Sequence, residues 1–208
     1  MRAIIIPLML LIAMPFARAF AQHHNELYLS AGVVTPDEIS GWEGRGGIMT
    51  GYISSPTLTT HALFLTYRRT FSKRFSLGIT AGIDNETGEL SYGNPKETGQ
   101  VEGTSGYYNV YTYTIAIEGS VTYFKRRYLK LYGCAGIGIT SYDDIYTIYP
   151  NPPSWVPVPP KSPYDYHEQH FNAQITGFGI RMGRTIAGFF EVGYGYKGLI
   201  STGISARF

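Results

Sequence analysis

The feature that most constrains this chain is the strict alternation of its side chains from Tyr107 to Tyr123. One set of alternate positions is mainly aromatic or aliphatic and comprises Tyr107, Asn109, Tyr111, Tyr113, Ile115, Ile117, Gly119, Val121 and Tyr123. The other set is mainly small or hydroxyl-bearing and comprises Tyr108, Val110, Thr112, Thr114, Ala116, Glu118, Ser120 and Thr122. A period of two places each set on one face of a β-strand, whereas a helix would mix the two sets. The segment therefore predicts a long strand with one apolar and one polar face.

The same alternation recurs along the chain and predicts about eight strands in all. The apolar faces of the others begin at Leu27, His61, Phe75, Leu129, Ala173, Phe190 and Ile200. The phase changes between Phe171 and Met182. We expect a β-bulge there at Gly177 or Gly179, because glycine tolerates unusual backbone geometry.

The connectors between these strands alternate in length. Short turns are predicted at 72–74, 125–127 and 183–185, with a further short connector at 196–198, and long polar or proline-rich loops at 35–56, 85–106 and 141–167. Short turns at one end and long loops at the other are typical of outer-membrane barrels, in which the short turns face the periplasm. The sequence therefore predicts an all-β fold, an eight-stranded antiparallel up-and-down transmembrane β-barrel.

The polar faces of the predicted strands are mostly Ser, Thr and Gly, with isolated charges. A barrel surface in contact with water would carry more Lys and Glu. This favours a barrel whose apolar face meets lipid and whose polar face fills the lumen. The alternative is a soluble periplasmic barrel that binds an apolar ligand.

Aromatic residues cluster where the predicted strands meet their turns. We expect a belt at the short-turn end formed by Phe71, Phe75, Tyr123, Phe124, Tyr128 and Phe208. We expect a second belt at the outer end formed by Tyr107, Tyr111, Tyr142, Phe171 and Tyr194. Rings at membrane interfaces place their bodies in hydrocarbon and their hydroxyls among the headgroups.

The first residues have the layout of a secretory signal peptide: Arg2, then an apolar run to Phe16, then alanines at alternate positions. We expect cleavage after Ala21, with Ala19 as the second choice, leaving one barrel domain at 22–208. Without the two basic residues of the leader, 15 basic side chains balance 15 acidic ones. That balance argues against nucleic-acid binding, which usually requires a basic domain.

Isolated charges fall in the lumen-facing phase of several strands, at Glu26, Arg68, Glu118, Lys130, Arg181, Glu191 and Arg207. A narrow barrel is filled by side chains, and an unpaired buried charge costs several kcal/mol. We therefore predict an ion-pair network centred on Arg68, Glu118, Arg181 and Glu191. It acts either as a static plug or as the gate of a narrow pore.

No motif for catalysis or metal binding is evident. His61 lies in the lipid-facing phase without a His-x-Ser pair, although Ser54 and Ser55 precede it. We expect solvated loop charge, with a divalent-cation site as the alternative, for the cluster of Asp143, Asp144, Asp165, His167, Glu168 and His170. We predict no catalytic residues, no metal and no cofactor, with an enzyme that modifies lipid or peptide as the alternative. Trp155, within a proline-rich loop, is a candidate contact for an extracellular partner. The alternative is that this loop folds over the mouth of the barrel.

The chain ends on Phe208, preceded at alternate positions by Ala206, Ile204, Thr202 and Ile200. This resembles the terminal strand that the outer-membrane assembly machinery reads in barrel proteins. The tail from Glu191 to Phe208 carries the closest likeness to the small outer-membrane barrel families, OmpX and the barrel domain of OmpA. The resemblance implies a bacterial outer-membrane location. It also implies contacts with outer-membrane lipid, periplasmic chaperones and the barrel-assembly machinery.

Overall fold

The computed structural model describes residues 25–33, 52–93, 101–148 and 164–208. These residues form eight β-strands, which are β1 (Asn25–Val33), β2 (Tyr52–Thr70), β3 (Phe75–Gly93), β4 (Val101–Lys125), β5 (Leu129–Ile148), β6 (Tyr164–Gly183), β7 (Ile186–Gly195) and β8 (Ile200–Arg207). Within them we find no helix with the length and hydrophobicity of a membrane-spanning helix. The predicted leader and Trp155 lie outside the described residues.

Each strand pairs antiparallel with the next, and β8 pairs with β1, so the sheet closes into a barrel. The closing ladder runs from Glu26 opposite Arg207 to Val33 opposite Ile200. Asn25 and Phe208 extend it by exchanging two backbone hydrogen bonds, of 3.1 and 2.9 Å. The prediction of an all-β, eight-stranded, up-and-down antiparallel barrel is confirmed.

The two faces of the strands have opposite character. From Tyr108 to Thr122 the even-numbered residues of β4 are buried, whereas the odd-numbered ones are half-buried or exposed. Each strand places at least one large apolar side chain on the outer face, 38% to 67% exposed, for example Leu29, Leu65, Ile79, Ile117, Ile137, Ile175, Phe190 and Ile204. The outer wall therefore carries a continuous apolar band.

Strand β6 changes phase at Gly177. Its register with β7 shifts between Thr176 and Phe178, and its register with β5 shifts at the same point. Ile175 and Phe178 consequently both face outward and are both exposed. The bulge thus falls at the first of the two predicted glycines.

Each predicted long loop includes residues that belong to strands, so the predicted loop boundaries were wrong. Of the loop predicted at 85–106, β3 takes the part up to Gly93 and β4 the part from Val101. Strands β2 to β6 have 19 to 25 residues, whereas β1, β7 and β8 have 8 to 10. The five long strands therefore extend far beyond the other three at the end of the barrel opposite the short turns. We call their outer parts, 52–61, 84–93, 101–112, 141–148 and 164–173, the upper sheet.

Candidate functional site

The predicted lumen charges lie inside the closed part of the barrel, between the short turns and the upper sheet; we call this part the lower barrel and its interior the lower lumen. Glu26, Arg68, Glu118, Lys130, Arg181 and Glu191 are at most 4% exposed, and the side chain of Arg207 is 14% exposed. Strand register explains part of this, because Glu26 pairs with Arg68 and Glu118 pairs with Gly78, which also pairs with Arg68. Directly paired residues share a face of the sheet, so these side chains form one row around the lumen.

Glu26 is the centre of a group near the short-turn end. Its Oε2 lies 2.9 Å from Lys130 Nζ and accepts a hydrogen bond of 2.5 Å from the hydroxyl of Tyr28. Its Oε1 accepts a hydrogen bond of 2.8 Å from Arg207 Nε and another from Arg207 Nη2. The carboxylate thus joins β1 to β5 across the lumen and to β8 beside it.

Glu118 is the centre of a second group at mid-barrel and is fully buried. Its Oε2 accepts a hydrogen bond of 3.2 Å from Arg68 Nη2. Its Oε1 accepts hydrogen bonds of 2.8 Å from the hydroxyls of Thr80 and Tyr196, and Lys197 Nζ lies 2.5 Å away. With two cations and two hydroxyls around it, the carboxylate is neutralised and has little capacity left to act as a general base.

Arg68 connects the two groups. Its guanidinium carbon lies 4.6 Å from the ring centre of Tyr28 and 5.3 Å from that of Tyr132. Nη2 is also 3.9 Å from Glu191 Oε1, which accepts a hydrogen bond of 2.7 Å from the Tyr132 hydroxyl. Contacts of a guanidinium with ring faces add to the charge pairing when both are desolvated. Apart from Arg181, the buried charges of the lower lumen therefore form one connected network.

Two members of this network, Tyr196 and Lys197, were missed by the sequence analysis. They belong to the connector between β7 and β8, which turns at Gly195 and Gly198, both of positive φ. The connector folds into the barrel, so Tyr196 is 8% and Lys197 2% exposed. The only sequence signal was a lysine between glycines in a short turn, which by itself predicts solvent exposure.

Arg181 takes a different place from the one predicted. We expected it at the centre of the ion pairs, yet it has no carboxylate within ion-pair distance in the described part of the chain. Instead it donates a hydrogen bond of 2.8 Å to Ser205 Oγ and others to the backbone carbonyls of Gly183, Arg184 and Thr185. Its position near the end of β6 brings its guanidinium to the turn rather than to mid-barrel.

Close packing in the network depends on small residues on the facing strands. A Cβ at Gly136 would lie 2.6 Å from the Tyr196 hydroxyl and 2.9 Å from Glu118 Cγ. A Cβ at Gly82 would lie 2.2 Å from the ring of Phe64, which packs with Tyr196 at a centroid distance of 6.1 Å. The absence of a side chain at these two glycines makes room for the turn and the ring that close the lumen.

Above this closure the lumen widens into a cavity of about 310 Å³. Phe64 and Tyr196 contribute aromatic surface to it, and the walls include Thr112, Thr140 and Asn172. The buried Oδ1 of Asn172 has no hydrogen-bond partner in the described structure. The cavity offers mainly neutral polar groups, with Asp84 as the one charged residue of its lining, in contrast to the charged network beneath it.

The predicted aromatic belts lie mainly on the outer face. Of the short-turn set, Phe71, Phe75, Tyr123, Phe124 and Tyr128 are 40% to 63% exposed, and Phe208 is half-buried. Of the outer set, Tyr107, Phe171 and Tyr194 are 49% to 74% exposed, and Tyr111 is half-buried. Tyr142 was assigned wrongly: it pairs with Thr112 and lines the cavity, because the period of two continues along β5 and turns even-numbered residues inward.

The predicted polar cluster at the outer end contains two ion pairs on the upper sheet. His167 Nδ1 lies 2.5 Å from Asp143 Oδ1, and His170 Nε2 lies 3.0 Å from Glu168 Oε1, all four side chains being more than 40% exposed. The second ring nitrogen of His167 faces the amide of Gln169 at 3.4 Å. No group of three or more His, Cys, Asp or Glu among the described residues could hold a metal ion. The side chains of His61, Ser54 and Ser55 lie outside the described part.

Comparison with family models gave no match, and comparison with curated proteins gave none either. Among solved structures, the chain is similar to the N-terminal β-barrel domain of OprF from Pseudomonas aeruginosa. The sequence identity is 11% and the TM-score 0.42, over 90% of this chain and 100% of that chain. The fold described above follows from the strand pairing of this chain itself.

Proposed function

We propose that this protein is a non-enzymatic barrel of a bacterial outer membrane, with a closed lumen, that serves envelope integrity or surface interaction. The observation that supports the proposal is the distribution of apolar and charged side chains, which is the reverse of that in a water-soluble barrel. Apolar side chains from all eight strands face outward, whereas the buried interior holds carboxylates, guanidiniums and ammonium groups. A water-soluble barrel would have the opposite arrangement, while a barrel in lipid requires this one.

The dimensions of the apolar band support the same proposal. Tyr111 and Tyr123, both on the outer face of β4, are twelve residues apart. At about 3.4 Å per residue this is roughly 40 Å along the strand. A strand tilt of about 40° reduces the distance to roughly 30 Å along the membrane normal, close to the thickness of a bilayer's hydrocarbon core. The two tyrosines would then lie at the two interfaces.

Two further elements of the proposal come from sequence alone. Phe208 is proposed to be the terminal residue read by the barrel-assembly machinery, to which periplasmic chaperones would deliver the chain after removal of the leader. Trp155 is proposed as a contact for an extracellular partner. Both are consistent with a barrel whose short turns face the periplasm and whose upper sheet projects outward.

We expect the protein to sediment with outer membranes and to show a heat-dependent gel shift. A closed barrel in which all strands are paired resists unfolding in cold detergent and migrates faster than the boiled chain. Fractionation of cells that express the full chain, followed by electrophoresis of boiled and unboiled samples, measures both properties. Recovery in the soluble periplasm without a gel shift would support the soluble ligand-binding barrel instead.

We expect planar bilayers containing the native protein to carry no steady current. The network fills the lower lumen with side chains that are nearly all less than 5% exposed. Glu118→Ala removes the carboxylate that holds Lys197 and Tyr196, so intermittent openings are expected in this variant. Absence of current with both proteins would exclude the narrow-pore alternative. A large steady current with the native protein would contradict the closed lumen.

A second candidate is a barrel enzyme that modifies lipid or peptide, and the observation in its favour is the pair of His167 and Asp143. A carboxylate that orients a histidine is part of many nucleophilic sites. Here, however, the second ring nitrogen faces an amide rather than a hydroxyl or thiol, and both side chains are about half exposed to solvent. Hydrolysis of phospholipid or peptide that disappears in His167→Ala would favour this candidate over the first.

A further inference from the structure

The end of the barrel that carries the short turns is strongly cationic. Exposed basic side chains in and beside the three turns are Arg69, Lys73, Arg74, Lys125, Arg126, Arg127 and Arg184. The exposed and half-buried acidic side chains of the described residues all lie toward the opposite end, at Asp84, Glu86, Glu89, Asp143, Asp165 and Glu168. The chain beyond its predicted leader is neutral overall, so this separation of charge is a property of the fold rather than of composition.

Part of this cationic end forms a cleft of about 270 Å³. Its lining consists of Lys125, Arg126, Arg127, Arg184, Thr185 and Arg207, with no acidic side chain among them. Arg207 is paired with Glu26, while the other four cations make no ion pair with any described residue. Several like charges around one concave surface repel each other, and a bound anion would relieve that repulsion.

The backbone holds the walls of the cleft together. The amide of Arg126 donates a hydrogen bond of 2.7 Å to the carbonyl of Leu129, which closes the β4–β5 turn. Gly183 donates to the carbonyl of Tyr128 at 2.9 Å, and Arg207 donates to that of Thr185 at 2.8 Å. These bonds tie the β4–β5 turn, the β6–β7 turn and the end of β8 into one unit. The cations therefore lie on backbone segments that are joined by hydrogen bonds rather than on separate loops.

Aromatic residues of the outer wall fix the depth of this cleft in a membrane. Arg126 lies over the ring of Phe124 at 5.7 Å, and Arg127 over the ring of Tyr128 at 5.2 Å. Exposed rings of this kind lie at the membrane interface. The guanidiniums beside them would then lie at the level of the lipid phosphates, where each nearby Lys or Arg strengthens the attraction to anionic lipid.

We propose that this cleft binds the phosphate headgroup of an anionic phospholipid in the leaflet next to the short turns. The inference rests on the proposed function, because it requires the barrel to be inserted in a bilayer. Arginine suits the role, since its planar guanidinium can donate two parallel hydrogen bonds to phosphate oxygens. Thr185 adds a neutral side chain to the same surface.

The test uses the full barrel inserted into phosphatidylcholine vesicles that contain trace spin-labelled phosphatidylglycerol or spin-labelled phosphatidylcholine. Electron paramagnetic resonance measures how much of each probe is held at the protein. We expect the native barrel to retain phosphatidylglycerol preferentially. We expect the preference to fall by roughly fivefold for each cation removed in the double variant Arg126→Gln, Arg184→Gln.

The matched control is the double variant Lys73→Gln, Arg74→Gln, which removes the same charge from a turn that does not line the cleft. It should keep most of the preference. An equal loss of the preference in both double variants would contradict binding in the cleft. It would indicate only a general attraction between the cationic end of the barrel and anionic lipid. Release of the labelled lipid by millimolar inorganic phosphate would identify a site for free phosphate rather than for lipid.

Electrophoresis of the same vesicles separates this inference from the proposed function. Absence of the heat-dependent gel shift would mean that the barrel did not insert, which would count against the outer-membrane proposal itself. A normal gel shift with equal retention of both lipid probes would refute the lipid site alone.

Discussion

Replacing Glu118 with Gln is expected to lower the free energy of unfolding by about 3–5 kcal/mol. The substitution keeps the shape of the side chain but leaves Arg68 and Lys197 buried without their nearest carboxylate. Glu191 remains 3.9 Å from each, yet one carboxylate cannot neutralise two desolvated cations. Equilibrium unfolding by urea in lipid vesicles, followed by far-ultraviolet circular dichroism, measures the change.

Glu89→Gln is the control for that experiment, because Glu89 is exposed on β3. Removing its charge should alter stability by no more than about 0.5 kcal/mol. If the two variants unfolded at the same urea concentration, the buried network would not be an important source of stability. A large loss in the first variant alone would establish that Glu118 holds the lower lumen together.

Ile117→Arg is expected to destabilise the inserted barrel by about 2–4 kcal/mol. Ile117 is 56% exposed on the outer face of β4 and lies midway between Tyr111 and Tyr123. An arginine there would place its guanidinium at the middle of the hydrocarbon, where charge is most costly. The same unfolding assay in vesicles measures the effect.

Tyr111→Arg places the same side chain on the same face of the same strand, but six residues nearer the outer end. At that depth the expected cost is only about 0–1 kcal/mol. A soluble barrel would tolerate an arginine at either position of the outer face. Equal and small effects in the two variants would therefore contradict insertion in a membrane.

The closed barrel and its inward and outward faces could be predicted because the outer surface and the lumen take different classes of residue. On β4 this selection leaves Ile115 and Ile117 outside and Glu118 inside, and a period of two is sufficient to read it. The change of phase at Gly177 could be predicted for the same reason. The local pattern carries the information wherever an apolar and a polar environment meet across the sheet.

The upper ends of the strands could not be located in this way. From Asp84 to Glu89 the residues of β3 are polar or glycine on both faces, so apolar alternation stops although the strand continues to Gly93. Backbone pairing sustains the ladder there, and Thr and Tyr in the facing strand favour it. A search for apolar alternation therefore measures the height of the apolar outer band rather than the length of the strand.

The partners within the lumen were also only partly predictable. Alternation places Glu118 and Arg68 on the inner face, but the contact between them depends on the register and shear of the closed sheet. Lys197 lies in a turn, where alternation has no meaning, and its inward position depends on the room left at Gly32, where a Cβ would lie 2.2 Å from the carbonyl oxygen of Lys197. These relations exist only after the barrel has formed.

Because the strands differ in length, the backbone of the barrel is paired differently in its two parts. Below, the ladder is a ring, and no strand lacks a neighbour. Above, β2 from Tyr52 to His61 and β6 from Tyr164 to Ala173 have a described partner strand on one side only. These two segments are edge strands, and an edge strand offers backbone amide and carbonyl groups to any further strand. Pro56 interrupts the edge of β2, and Asp165 and His167 place polar or charged side chains on the edge strand β6. Both features limit edge-to-edge pairing of one molecule with another.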